Sequence, residues 1–383
     1  MKILIGVCGI GKGHCIREYE ISKELIKRGH EVRILTYNEG VNFFENTGIK
    51  TYNVYVPIIL FKNEKIDIVD CFKRNFLKFI PGIIKDKKIF NLLIKDNFIP
   101  DVCVSDYEPV TARISYKLKI PLINIDQHSK FMYMKEESIN GYSCTEEKRR
   151  LKLFFPKSDK KYVVSFYELP KSILPKNVEI VYPIIRNDLK KIQKNVKNEK
   201  TIVVYLSKYI NIPIKQKMED LIKVFNQFPK YKFIVFSTEY YNKQYRNKNN
   251  VEFRKNDRKE FVKELKEAFC VISTAGHTLI SEALYCNIPI FVVPLPTFDQ
   301  NYCGQFINEN KIGYSSDEIT YYNLSKFLKN IEIYKENIKK CNKLVKKTDS
   351  LNYLVDKIEE YDKNKQKCYI DDEKINVEYK KKQ

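Results

Sequence analysis

Clustered metal ligands are missing from this sequence. No Cys-x-x-Cys occurs, and the four histidines of the 383-residue chain stand apart from its ten cysteines. That pattern argues against a zinc centre, and no metal is expected in the site. The cysteines, among them Cys8, Cys103, Cys270 and Cys286, fall mostly inside apolar runs, as buried reduced thiols of a cytosolic protein do. Long apolar runs are missing too, and none approaches the roughly 20 residues a membrane-spanning helix needs. Lys2 leads straight into Ile3-Leu4-Ile5-Gly6-Val7, so no secretory leader is expected.

Acidic residues are in short supply: 48 Asp and Glu face 69 Lys and Arg, a formal net charge of +21. Nucleic acid, an anionic membrane surface and an anionic substrate all fit such a balance. The lysines are spread through every segment without an aromatic–basic RNA motif, which argues against nucleic acid. Lys, Asn, Ile and Tyr are abundant together, so part of the excess is compositional bias.

What is present is an alternation of short β-branched runs with helical stretches, the pattern of parallel sheets joined by crossover helices. Strands are expected at Lys2–Val7, Glu31–Leu35, Val102–Ser105, Pro121–Ile125 and Tyr162–Ser165, and again at Thr201–Leu206, Tyr231–Phe236, Phe269–Ile272 and Ile288–Val293. Helices are expected at Ile16–Arg28, Val110–Leu118, Glu146–Phe155, Met218–Phe228, Lys259–Ala268, Thr278–Tyr285, Tyr302–Asn310 and over Ile333–Tyr361. The fold class is therefore α/β, with two Rossmann-like domains of residues 1–183 and 184–345, followed by a helix and charged tail over 346–383. Tyr182-Pro183-Ile184-Ile185-Arg186, before the charged stretch Asn187–Lys200, reads as the hinge.

The most informative segment is Ser273-Thr274-Ala275-Gly276-His277-Thr278, running on to Glu282. A strand ends in small polar residues and a helix opens after Gly276, so free N–H groups and the positive end of the helix dipole suit a phosphate. Thr278 and Glu282 share a face of that helix, and a carboxylate one turn behind a phosphate can accept from ribose hydroxyls.

Near the N-terminus, Gly6-Val7-Cys8-Gly9-Ile10-Gly11-Lys12-Gly13-His14 also joins a strand to a helix. It nearly reads as a P-loop, but Gly13 stands where a magnesium-binding Ser or Thr is required. As a dinucleotide fingerprint it fails as well, because Thr36-Tyr37 stands where the ribose-binding acid belongs. Asp106, at the end of Val102–Ser105, either faces the cleft or caps the helix after Pro109. Asp126-Gln127-His128 ends the next strand.

With Asp299-Gln300-Asn301 beyond Pro294, the stretch from Ser273 to Gly313 resembles the donor half of GT-B glycosyltransferases. The nearest relatives it suggests are the peptidoglycan-lipid N-acetylglucosaminyltransferases (family 28 type) and the UDP-glucuronosyltransferase-like enzymes. The resemblance extends over nearly the whole chain but covers nothing between about residues 50 and 95 or after about residue 345. It implies an inverting, metal-independent transferase that needs no cofactor, takes a nucleotide-diphosphate sugar, UDP favoured, and has a terminal helix crossing back to the first domain. It implies that Gly276, His277 and Thr278 hold the pyrophosphate, Glu282 the ribose, and Asp299 and Gln300 the sugar. Ser207 would lie near phosphate, Arg254 by the nucleobase loop and Arg186 at the hinge. Gly11 and Gly13 would let the backbone approach the ligands, His14 would be the general base and Asp106 would orient it. The first loop lacks the double glycine before His of the peptidoglycan enzymes, which counts against that particular acceptor. A 2-epimerase on the same architecture and a non-catalytic nucleotide-sugar-binding scaffold are the alternatives.

Phe76-Leu77-Lys78-Phe79-Ile80-Pro81-Gly82-Ile83-Ile84, followed by Lys85-Asp86-Lys87-Lys88, mixes apolar and basic residues. It either packs a helix into the core or lies on an anionic bilayer at the cytoplasmic face, where a lipid-linked acceptor would meet the first domain.

Overall fold

The computed structural model describes residues 1–57, 61–62, 65–66, 68–134, 138–155, 157–167, 169, 173–191, 200–206, 216–242, 249–345 and 349–362. The β-branched runs form two parallel sheets, and their core strands are buried along their length because helices cover both faces. The first sheet is seven-stranded, in the spatial order Val178–Val181, Lys160–Val164, Leu122–Asp126, Val102–Asp106, Lys2–Val7, Glu31–Thr36, Thr51–Asn53. The second is six-stranded, in the order Val251–Arg254, Lys232–Phe236, Thr201–Tyr205, Cys270–Ser273, Ile290–Val292, Gly313–Ser315.

Both sheets reverse their strand order beside their first strand, and α/β sheets open a crevice at the carboxyl ends of such strands. In the first sheet the reversal falls between Lys2–Val7 and Val102–Asp106, whose register pairs Val7 with Asp106. In the second it falls between Thr201–Tyr205 and Cys270–Ser273, where Tyr205 pairs with Ser273. The glycine loop and the Gly276 turn therefore leave their sheets at matching places.

The helices depart from the expected limits in ways that matter. The first runs Lys12–Lys27, not from Ile16, because Gly11 turns the chain at φ 76° and starts the helix at once. His14 thus sits in a first helical turn, not in a loop. Phe298–Glu309 also begins earlier than expected, since the Thr297 side chain caps it by accepting from the Gln300 N–H.

The span expected as one helix from Ile333 is two, Ile331–Val345 and Ser350–Glu359, the second capped by Asp349. That last helix crosses back: Leu351, Leu354, Val355 and Ile358 join Ile3, Ile5 and Ile21 in one core. Arg28 and His30 fix it at 2.7 Å each, Arg28 Nη2 donating to Asn352 Oδ1 and His30 Nε2 meeting Glu359 Oε1.

The first segment without a resemblance holds a long helix, Ile68–Lys95. Its far end is docked, with Ile89 and Leu93 buried and Asp86 Oδ1 accepting from the Tyr55 N–H at 2.8 Å. The stretch from Val69 to Ile84 is not core: Phe72, Phe76, Leu77, Phe79, Ile80, Ile83 and Ile84 are all exposed, Leu77 to 81%.

Candidate functional site

His14 is held by the first turn of Lys12–Lys27, and Asp106 by the last position of its strand. Their side chains meet, His14 Nδ1 lying 2.8 Å from Asp106 Oδ1. Glu108, not Asp106, caps the helix Pro109–Leu118, accepting from the Val110 and Thr111 N–H groups. Asp106 is thereby free to face the cleft, and it is wholly buried.

Two residues that the motif reading passed over complete this cluster. Arg17 donates through Nη2 to Asp106 Oδ2, and the same nitrogen lies 3.1 Å from His14 Nδ1. Glu18 lies with Oε1 3.5 Å from Arg17 Nε, and neither of its oxygens is hydrogen-bonded. The signal was there in the spacing: positions 14, 17 and 18 share one helix face. Burial opposes ionisation of Asp106, but Arg17 and His14 outweigh it and hold the carboxyl below its ordinary range. Burial, reinforced by the Asp106 charge and opposed by Arg17, pushes the Glu18 carboxyl well above its ordinary range.

His128 stacks on His14, with ring centroids 5.7 Å apart and planes 8° from parallel. Burial pushes its imidazole down to about 4, so it is neutral at pH 7. Asp126 is occupied locally, accepting from the Ser129 N–H at 2.6 Å and its hydroxyl at 2.7 Å.

Across the cleft stands the N-terminus of the helix His277–Tyr285. Gly276 is open, with nothing within 4 Å of where a Cβ would sit. Gly13 is the reverse, since a Cβ there would lie 2.5 Å from Thr278 Oγ1. The two helix starts therefore face each other in direct contact. His277 is buried and its Nε2 is without a hydrogen bond; burial holds the ring neutral, well below the ordinary range.

The remaining nominated residues divide. Asp299 approaches the cleft opposite Lys130, a fully buried lysine whose Nζ lies 3.9 Å from Asp299 Oδ1. Lys130 carried no sequence signal. Gln300 turns inward, its Oε1 accepting from the Leu295 N–H at 2.9 Å. Glu282 is buried and paired with Arg186, which reaches it through both Nε and Nη2 at 2.9 Å. Burial raises the Glu282 carboxyl above its usual range, with Arg186 opposing. Arg254 ends the edge strand of the second sheet and is engaged by Glu252, Glu264 and Glu260. Ser207 lies outside the described residues. The structure thus gathers His14, Asp106, Gly13, His277, Thr278 and Asp299 about one crevice, and leaves Arg254 and Gln300 in structural contacts.

A family model described as glycosyl transferase family 1 matches residues 1–332, and the chain belongs to that family. The match does not specify the family 28 type. A curated relative from Methanosarcina acetivorans, described as an uncharacterized glycosyltransferase, is 30% identical over 193 residues, 49% of each chain. The chain spans about half the length of the curated relatives it matches. Among solved structures, the glycotransferase of kitacinnamycin superposes with a TM-score of 0.67 at 16% identity, covering 94% of this chain and 98% of that one. A UDP-glucose:anthocyanidin 3-O-glucosyltransferase in complex with UDP gives 0.65 at 12% identity, covering 93% and 99%. These likenesses establish the GT-B fold.

Proposed function

We propose that this member of glycosyl transferase family 1 is an inverting, metal-independent glycosyltransferase, moving a sugar from a nucleotide-diphosphate donor, UDP favoured, to a hydroxyl acceptor. Residues 1–183 would bind the acceptor and 184–345 the donor. One observation carries the reading: the His14–Asp106 pair, 2.8 Å apart, stands at the switch point of one sheet, facing a helix N-terminus at the switch point of the other.

In this reading Asp106 accepts a hydrogen bond from the Nδ1–H of His14, leaving Nε2 as the base. The acceptor hydroxyl gives its proton to Nε2 while its oxygen attacks the anomeric carbon. The bond from that carbon to the diphosphate breaks, and its electron pair leaves with the diphosphate. The N–H groups of His277 and Thr278 at the helix start and the dipole behind them receive the developing charge. A single displacement inverts the anomeric centre. The ribose role of Glu282 requires one carboxylate oxygen to be shared between Arg186 and a ribose hydroxyl.

The acceptor is proposed to be lipid-linked and the protein to work at the cytoplasmic face of a membrane. Supporting this is the outer face of Ile68–Lys95, where exposed apolar side chains alternate with Lys73, Arg74, Lys78, Lys85, Lys87 and Lys88. Among the described residues no helix is long and apolar enough to cross a membrane, so contact would be at the surface.

The test is incubation with UDP- and dTDP-sugars, with and without extracted membrane lipids, following free nucleotide diphosphate and the anomer formed. Release of UDP with an inverted glycoside, lost in His14→Ala, is expected. An epimerised donor without acceptor would assign an isomerase instead. Binding without turnover would assign a scaffold.

A further inference from the structure

The His14–Asp106 pair is not the two-membered arrangement that general-base chemistry requires at minimum. The Asp106 carboxylate is shared: Oδ1 meets His14 Nδ1 at 2.8 Å, and Oδ2 accepts from Arg17 Nη2. A guanidinium only donates and keeps its charge at any working pH. The Arg17 nitrogen, 3.1 Å from Nδ1, sets a positive charge beside the imidazole; with Nδ1 protonated, the proton goes to the closer Asp106 Oδ1 and the guanidinium donates to Oδ2 instead.

We propose that Arg17 is the positioning residue of the pair: it holds Asp106 Oδ2 and partly compensates its charge, which keeps Oδ1 turned to the Nδ1–H of His14 and leaves Nε2 free for the acceptor hydroxyl. In a triad whose acid is uncompensated, the carboxylate stabilises the imidazolium outright. Here the guanidinium shares the carboxylate and offsets part of that pull. During transfer, the acceptor proton arriving on Nε2 makes an imidazolium whose Nδ1–H still donates to Asp106.

Glu18 approaches the guanidinium from its other side at a longer distance, Oε1 lying 3.5 Å from Nε, so Asp106 keeps the closer contact, and burial opposes ionisation of the Glu18 carboxyl. The other charged or titratable groups facing this cluster are Cys8 and Cys15 from the glycine loop and its helix, Asp126 and His128 from the neighbouring strand and turn, His277 from the opposite helix, Lys130 set against Asp299, and Glu39 beyond Cys15. Asp126 is committed to Ser129, and both histidines are held neutral by burial, so none replaces Arg17.

The inference rests on His14 as the base, and its test has a readout that needs no turnover. Side-chain 15N spectra of the four histidines, with His14→Gln to assign the signal, report which ring nitrogen carries the proton at each pH. In the wild type the neutral His14 ring should be protonated on Nδ1. In Arg17→Met, the pH at which His14 becomes imidazolium should rise by about one pH unit or more, since a cation within about 4–6 Å is lost. The acid limb of kcat/KM should move with it. Arg17→Lys should recover part of the shift, because the charge returns without the planar fork. A folded Arg17→Met whose titration and acid limb stay in place overturns the inference, even if kcat falls. So does a wild-type proton on Nε2. Should Arg17→Met not fold, the wild-type proton position and a smaller upward shift in Arg17→Lys decide the matter. Full turnover by His14→Ala would overturn the base assignment separately, leaving the spectra to judge Arg17.

Discussion

Gly13 and Thr278 touch across the cleft, the first from the helix that carries His14 and the second from the helix that opens at Gly276. The space between them admits no side chain, since a Cβ on Gly13 would lie 2.5 Å from Thr278 Oγ1 and 3.3 Å from its Cβ. Gly13→Ala should therefore push the two helix starts apart, at a cost of about 1–3 kcal/mol. Turnover should fall with it by about tenfold or more. Adding Thr278→Ala removes the closer atom and should restore much of the stability. Denaturation midpoints of the single and double variants check this, and additive losses would break the link.

His14→Ala should lower the transfer rate about 10²–10⁴-fold, the range typical for loss of a general base. Affinity for the nucleotide diphosphate should stay within a few-fold, because His14 lies on the other side of the cleft from Gly276. Rates with saturating donor, beside calorimetry with UDP, separate the two. Nearly full turnover in the variant would send the search for the base elsewhere.

Arg186 and Glu282 form a buried, two-pronged ion pair. Glu282→Gln leaves the guanidinium with a neutral partner and should destabilise the protein by about 3 kcal/mol. It should also weaken UDP binding about tenfold, as one charge-assisted hydrogen bond to ribose is lost. A lower melting temperature with unchanged UDP affinity would confine Glu282 to a structural role.

Two buried groups oppose each other in acid. Burial raises Glu108 from 4.5 to about 7, so stability from this group is full below pH 4.5 and is lost as pH rises toward 7. Burial lowers His128 from 6.5 to about 4, so its contribution is full above pH 6.5 and is lost as pH falls toward 4. Each window corresponds to about 3 kcal/mol. Glu108→Gln should then unmask a steep acid loss, and His128→Phe should unmask a gain. Urea midpoints at several pH values between about 4.5 and 6.5 should diverge in opposite senses; parallel curves for all three proteins would contradict both shifts.

The outer face of Ile68–Lys95 should bind anionic vesicles at low salt and release them as salt rises, with about 1 kcal/mol per basic residue near the surface. Replacing Phe76, Leu77 and Ile80 with serine should abolish co-sedimentation without lowering the melting temperature, because all three are exposed. Equal recovery of the wild type in the supernatant with neutral and anionic vesicles would remove the membrane from the account.

Much of this was legible in the chain. Period and β-branched composition determined the two parallel sheets, because a strand buried on both faces has to be apolar throughout, as Lys2–Val7 and Cys270–Ser273 nearly are. The helix start after Gly276 was legible because glycine at a strand end followed by helix-forming residues marks such a turn, whereas His14 was singled out by the resemblance alone. Short strands such as Val178–Val181 and Gly313–Ser315 were not, since three or four residues carry too little period to be read. Nor could the pattern say whether Asp106 or Glu108 caps Pro109–Leu118; backbone direction at the strand end decided that. Tertiary structure alone joined Arg17 to Asp106, Lys130 to Asp299 and Arg186 to Glu282. Each pair is far apart in sequence, and a charge enters a protein interior only where the fold supplies its partner.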